Sequence, residues 1–176
     1  MKRFSILIIF VLLIHSRSDG QTAKPSCIEK ERKNEEGKDP ILIKTCRIKN
    51  FKFVSTSYPD YVGRYVYSEH EVYIFRNNKY VKTTNSKVFN KNQDKLVAAI
   101  NKRILEDFHK FSADSSTKDC LTEIDSIPTY KMNDFEISFE GNEIWFEVHW
   151  GLSSACRSVD GTIVSFKLND IKKYLN

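Results

Sequence analysis

An α+β fold, built on a mainly antiparallel twisted sheet of roughly six or seven strands, is predicted for this 176-residue chain by three patterns. Between Ile41 and Thr84, short runs of Val, Ile, Thr, Phe and Tyr are broken by turn residues. Between Leu96 and Phe111, apolar side chains recur at helical spacing. From Phe135 to Trp150 they alternate with mostly polar ones on either side of a Gly141-Asn142 turn. One long amphipathic helix is expected across a face of the sheet, with a short C-terminal helix and disulfide staples.

The chain begins with Lys2 and Arg3 ahead of an apolar run from Ile6 to Ile14. Ser18-Asp19-Gly20 then offers small residues where a signal peptidase cuts, so residues 1–20 read as a cleavable secretory signal. The apolar run is far shorter than the roughly 20 residues of a spanning helix. Cys27 follows Ala23-Lys24-Pro25-Ser26 rather than a lipid-anchor box, and no second long apolar run occurs. The expected product is secreted or periplasmic, with no transmembrane segment after cleavage. Its length suits one domain, assigned to residues 41–176. Residues 21–40, with the mixed charge run Glu29 to Asp39, read as a mobile leader. Removing Lys2, Arg3, Arg17 and Asp19 lowers the formal charge from +5 to about +3. That excess is too mild and too dispersed for the basic footprint of a nucleic-acid binder.

Candidate strands run from Ile41 to Ile48, Phe51 to Ser57, Gly63 to Phe75 and Lys79 to Thr84. Asn77-Asn78 fits a two-residue hairpin, which needs positive φ, and Tyr58 to Gly63 fits a turn around Pro59. Tyr58, Tyr61, Tyr65, Tyr67, Tyr73 and Tyr80 are read as strand packing rather than as a sugar platform. Leu96, Ile100, Ile104, Phe108 and Phe111 form one helical stripe, opposite Lys95, Lys102, Arg103, Glu106 and Lys110. Asn90 with Gln93, or Asn92 alone, fits the start of that helix. The Ser/Thr/Asp-rich segment Ser112 to Lys118 then leads to Cys120. In the last third, Phe135, Ile137 and Phe139 alternate with Glu136, Ser138 and Glu140, and Gly141-Asn142 turns the chain. Ile144, Phe146, Val148 and Trp150 then alternate with Trp145, Glu147 and His149, a half-buried hairpin. A strand around Val164, Phe166 and Leu168 follows, then a short helix with Ile171, Tyr174 and Leu175 on its apolar side.

Cys27, Cys46, Cys120 and Cys156 form an even set in an oxidising compartment, which predicts two disulfides. Short loops favour Cys27 with Cys46 and Cys120 with Cys156, while spacing alone leaves three connectivities open.

The helix segment Ala99-Ile100-Asn101-Lys102-Arg103-Ile104 and the run Phe135 to Leu175, including Thr162 to Ile171, resemble the extracytoplasmic α+β domain of lysozyme-sensing anti-sigma factors and of some peptidoglycan deacetylases. The likeness lies in the order of elements and covers about half of the chain beyond the signal. The chain departs from that pattern in its four cysteines and in having fewer strands between the helix and the last hairpin. The resemblance implies a protein-binding or cell-wall-associated envelope module and transfers no catalytic residue.

Chemistry-bearing motifs are absent: no Gly-rich phosphate loop, His-Glu-x-x-His, Cys-x-x-Cys or Gly-x-Ser-x-Gly occurs. Cys156 follows His149 by seven positions, but a nucleophilic thiolate must be free of disulfide pairing. His70 and His149 would need a third ligand and a supporting shell to hold a metal. No catalytic residue, metal or cofactor is therefore assigned. The outer face of the hairpin carries Trp145, Glu147 and His149, and an exposed Trp among polar residues marks a binding surface. The expected function is an exported module that binds a protein or cell-envelope component through that face. An envelope-polymer hydrolase using Glu147 and His149 as an acid/base pair is the alternative.

Overall fold

The computed structural model describes residues 24–33, 40–59, 66–122 and 124–176. The predicted signal, the centre of the charge run and most of the turn after Pro59 lie outside the described residues. Among the described residues, eight antiparallel strands form two sheets rather than one. The larger has the order β1 (Ser26–Arg32), β2 (Ile41–Ile48), β3 (Phe51–Pro59), β4 (Val66–Arg76), β5 (Lys79–Thr83). The smaller has the order β6 (Glu136–Glu140), β7 (Glu143–Val148), β8 (Thr162–Lys167). Among the described residues there are four α-helices, α1 (Asn85–Val88), α2 (Gln93–Ala113), α3 (Lys118–Leu121) and α4 (Leu168–Ile171), and three short 3-10 segments. Among the described residues, no helix is long and apolar enough to cross a membrane.

The segment expected to be a mobile leader contributes β1. Its residues pair with β2 from Ser26–Arg47 to Arg32–Ile41, and Cys27 lies directly opposite Cys46, to which it is bonded. All seven side chains of β1 are exposed. Their polarity reflects an edge strand that lies outside the core, where charged side chains also discourage pairing with another chain. The second disulfide joins Cys120 to Cys156, and among the described residues no free cysteine occurs.

Asn77 and Asn78 both adopt positive φ, as the two-residue turn between β4 and β5 demands. The helix α2 buries Leu96, Ile100, Ile104 and Phe108, while Phe111 packs edge-on against Trp150. Neither Asn92 nor Asn90 caps the helix with its side chain. Asn90 Oδ1 instead accepts from the Asn92 amide just ahead of it, and Asn90 Nδ2 donates to the Lys173 carbonyl. The helix lies along β8, where Arg103 donates to the Ser165 carbonyl and covers the Phe166 ring, and Thr162 donates to Asp107.

The core collects Phe51, Phe53 and Val72 from the large sheet, Ile137, Phe139, Ile144, Phe146 and Val164 from the small one, and the apolar stripe of α2. Phe53 meets Phe139 edge-on, with ring centroids 4.9 Å apart, and this contact joins the sheets. Alternate positions on paired strands share a face, so Lys44, Ser55 and His70 form one row beside the buried row of Cys46, Phe53 and Val72. Strand β6 crosses the large sheet along that polar row. Glu136 reaches His70 of β4 at one end, and Glu140 reaches Lys44 of β2 at the other.

Candidate functional site

The turn at Gly141-Asn142 sets the pairing of β6 and β7, and the outer face then has three rungs. Glu140 lies opposite Glu143, Ser138 opposite Trp145, and Glu136 opposite Glu147. Trp145 also faces Ser165 on β8, so both cross-strand neighbours of the indole are small. Its Nε1 donates to Glu143 at 3.4 Å. A half-buried aromatic ring therefore sits between two pairs of opposed glutamates. The large sheet supplies a partner at both ends of β6: the Lys44 ammonium bonds Glu140 at 2.7 Å, and the His70 imidazole, cationic only when protonated, bonds Glu136 at 3.0 Å.

The rung of Glu136 and Glu147 gathers further polar groups around it. His149, one residue past β7, places its Nε2 3.8 Å from oxygens of both Glu136 and Glu147. Its Nδ1 lies 3.2 Å from the Asp160 carbonyl, a contact that requires Nδ1 to carry the proton. The Asp160 carboxylate in turn accepts from the amides of Trp150 and Leu152, which pins the loop that follows β7. Gly161 makes this closure possible. It sits at φ +127°, and a Cβ there would strike the Val148 carbonyl oxygen.

His70 approaches from the other sheet. One donor atom each from His70, Glu136 and Glu147 lies within 4.8 Å of the other two. The His70 side chain is largely buried, and its Nδ1 has no hydrogen-bond partner among the described residues. The hydrogen bond from His70 holds the Glu136 carboxyl below the ordinary carboxylate range, against the upward push of burial. Positive charge on His70 and His149 acts in the same direction as the bond. Beside His70 and Glu136 opens a cavity of about 370 Å³, lined also by Phe53, Val72, Asn85 and Asn133. Glu147 and His149 are not part of that lining.

Trp145, Glu147 and His149 thus share one face, with His149 paired to Glu147. Sequence reasoning left His70 and Glu136 out of the site. The opposition of Glu136 to Glu147 is written in the hairpin register once the turn is placed. The arrival of His70 is not, because it depends on how the two sheets cross. Tyr73 and Tyr80 of the large sheet instead pack on Lys52, whose ammonium lies 4.2 Å from the Tyr73 ring and 4.7 Å from that of Tyr80, while Tyr61 and Tyr65 lie outside the described residues. No protein-family model, curated protein or solved structure matches this chain.

Proposed function

We propose that this protein is an exported, disulfide-stapled binding module that recognises a protein or cell-envelope component on the outer face of β7. The observation that carries this reading is the indole of Trp145, flanked by serines on both neighbouring strands and by glutamate pairs above and below it. Such a surface suits a ligand that brings a positive group and an apolar one together, for example a basic peptide segment or an amino sugar. The resemblance to extracytoplasmic envelope domains points to the same class of partner.

The hydrolase alternative draws less support. Acid/base catalysis gains from a site that excludes water, and His149 is 54% exposed while the cavity is walled by His70 and Glu136 rather than by Glu147 or His149.

The test is capture of a partner from an envelope extract by the immobilised, oxidised protein. Wild type should retain a partner that is released by salt, because rim carboxylates act through screened attraction. Trp145→Ala and Glu143→Gln should lose it while keeping the wild-type circular dichroism. Equal capture by folded Trp145→Ala would remove this face from the reading.

A further inference from the structure

We propose that His70, Glu136, Glu147 and His149 form a binding site for a divalent transition-metal ion of the zinc class, tying β4 of the large sheet to β6 and β7 of the small one. This site shares the Glu136–Glu147 rung with the proposed recognition face, and it holds whether or not Trp145 docks a ligand.

Four observations converge on it. The donor set is two imidazoles and two carboxylates. Zinc and its neighbours accept that mixture, whereas calcium and magnesium favour oxygen alone. The spacing also fits. With metal–ligand bonds of about 2.0–2.2 Å, the ligand atoms of a tetrahedral ion lie about 3.4 Å from one another. His70 Nε2 to Glu136 is 3.0 Å, and His149 Nε2 to Glu136 and to Glu147 is 3.8 Å in each case. The ligand atoms of His70, Glu136 and Glu147 already lie within 4.8 Å of one another, and His149 would complete the shell by swinging in from its contacts with both carboxylates.

The third observation is the support behind His149. Its Nδ1–H is directed to the Asp160 carbonyl, which leaves the Nε2 lone pair turned toward two carboxylate oxygens. Metal-bound histidines are held in this way by a backbone acceptor on the far nitrogen. The fourth is electrostatic. Glu136 and Glu147 are directly opposed on adjacent strands, where like charges destabilise a sheet. With its Nδ1 protonated, an otherwise neutral His149 turns an Nε2 lone pair toward two carboxylates that likewise offer only lone pairs, so a cation at this point is stabilising. A proton on an imidazole can supply it, and a dication supplies it more completely. Metal and proton therefore compete. Binding requires an unprotonated Nε2 on both His70 and His149, and affinity should fall as the solution becomes acidic.

The consequence reaches beyond the four residues. Among the described residues the two sheets are joined by their shared apolar core and by the pairs at the ends of β6. An ion held by both sheets and absent from the unfolded chain would stabilise the folded form in proportion to its occupancy.

The experiment titrates zinc chloride into the oxidised, chelator-treated protein carrying no histidine tag, by isothermal calorimetry and by thermal melting at pH 7.5. The expected result is one ion per chain, a melting temperature that rises with zinc and not with magnesium, and visible absorption of a four-coordinate kind with cobalt(II). Glu147→Gln and His149→Ala should each weaken binding at least about tenfold. Trp145→Ala should leave zinc binding unchanged even where it abolishes partner capture, which separates failure of one reading from failure of the other. Absence of heat and of a melting shift at millimolar zinc would overturn the site, as would wild-type zinc affinity in the Glu147→Gln/His149→Ala double variant.

Discussion

Replacing Glu147 by Gln should stabilise the metal-free protein, although it removes a residue of the candidate site. Oxygens of Glu136 and Glu147 lie no more than 4.8 Å apart. Two full charges at that distance repel by about 0.9 kcal/mol in water and by about 3.5 kcal/mol at an effective dielectric constant near 20. Both side chains are about one-third exposed, so the lower part of that interval applies. Favourable cross-strand pairs on a sheet contribute up to about 1 kcal/mol, and opposed like charges act in the destabilising direction. Glutamine keeps the shape and removes the charge, and the surface pair it breaks with His149, at 3.8 Å, is worth little. A gain of about 0.5–1 kcal/mol corresponds to a melting temperature higher by about 1–4 °C for a chain of this size. Glu143→Gln provides the contrast. Its opposite number, Glu140, is already neutralised by Lys44 at 2.7 Å, so relief there should be close to nil. The assay is a thermal melt at pH 8 in chelator with disulfides intact. A lower melting temperature for Glu147→Gln, or an equal gain for Glu143→Gln, would refute the electrostatic reasoning behind the site.

Three further outcomes are expected. Converting both Cys120 and Cys156 to Ser opens a cross-link that spans 36 positions, worth about 3.8 kcal/mol by chain entropy, against about 3.2 kcal/mol for the 19-position link of Cys27 to Cys46. Urea denaturation should place the first variant below the second, and limited proteolysis should cut near β1 only in the second, whose edge strand is then untethered. Gly161→Ala should lower the melting temperature and weaken zinc binding together, because the added methyl collides with Val148 and displaces the loop that orients His149; a loss of stability with unchanged zinc affinity would break that link. Burial, with Asp134 and Asp160 nearby, raises the Tyr130 phenol above its ordinary value near 10. The neutral form is favoured in the fold, so this contribution is complete below pH 10 and is lost as pH rises through the raised value. The urea midpoint should fall above pH 10 and fall less steeply in Tyr130→Phe.

Local patterns were legible because they depend on neighbours along the chain. The strands from Ile41 to Thr84, the stripe of α2 and the last hairpin all follow from side-chain period, and each forms within a few residues of its expected limits. The short-loop disulfides follow from chain proximity and are the ones found. The reading of the 21–40 segment as leader missed β1, because an edge strand with every side chain in water has the composition of a solvated tail. One sheet was expected and two formed, since period reports which face of a strand is buried and not which sheet it joins.

By itself the sequence determined the α+β class, the hairpin register that sets Glu136 against Glu147, and the outward placement of Trp145, Glu147 and His149. Those follow from a period of two and a turn at Gly141-Asn142, both local. Only the tertiary structure decided that β6 crosses the large sheet along the row of Lys44, Ser55 and His70, and so brought an imidazole from 66 positions away onto Glu136. The physical reason is that such a meeting is set by how two apolar faces pack around Phe53 and Phe139, and packing of that kind leaves no repeat or spacing in the chain to be read.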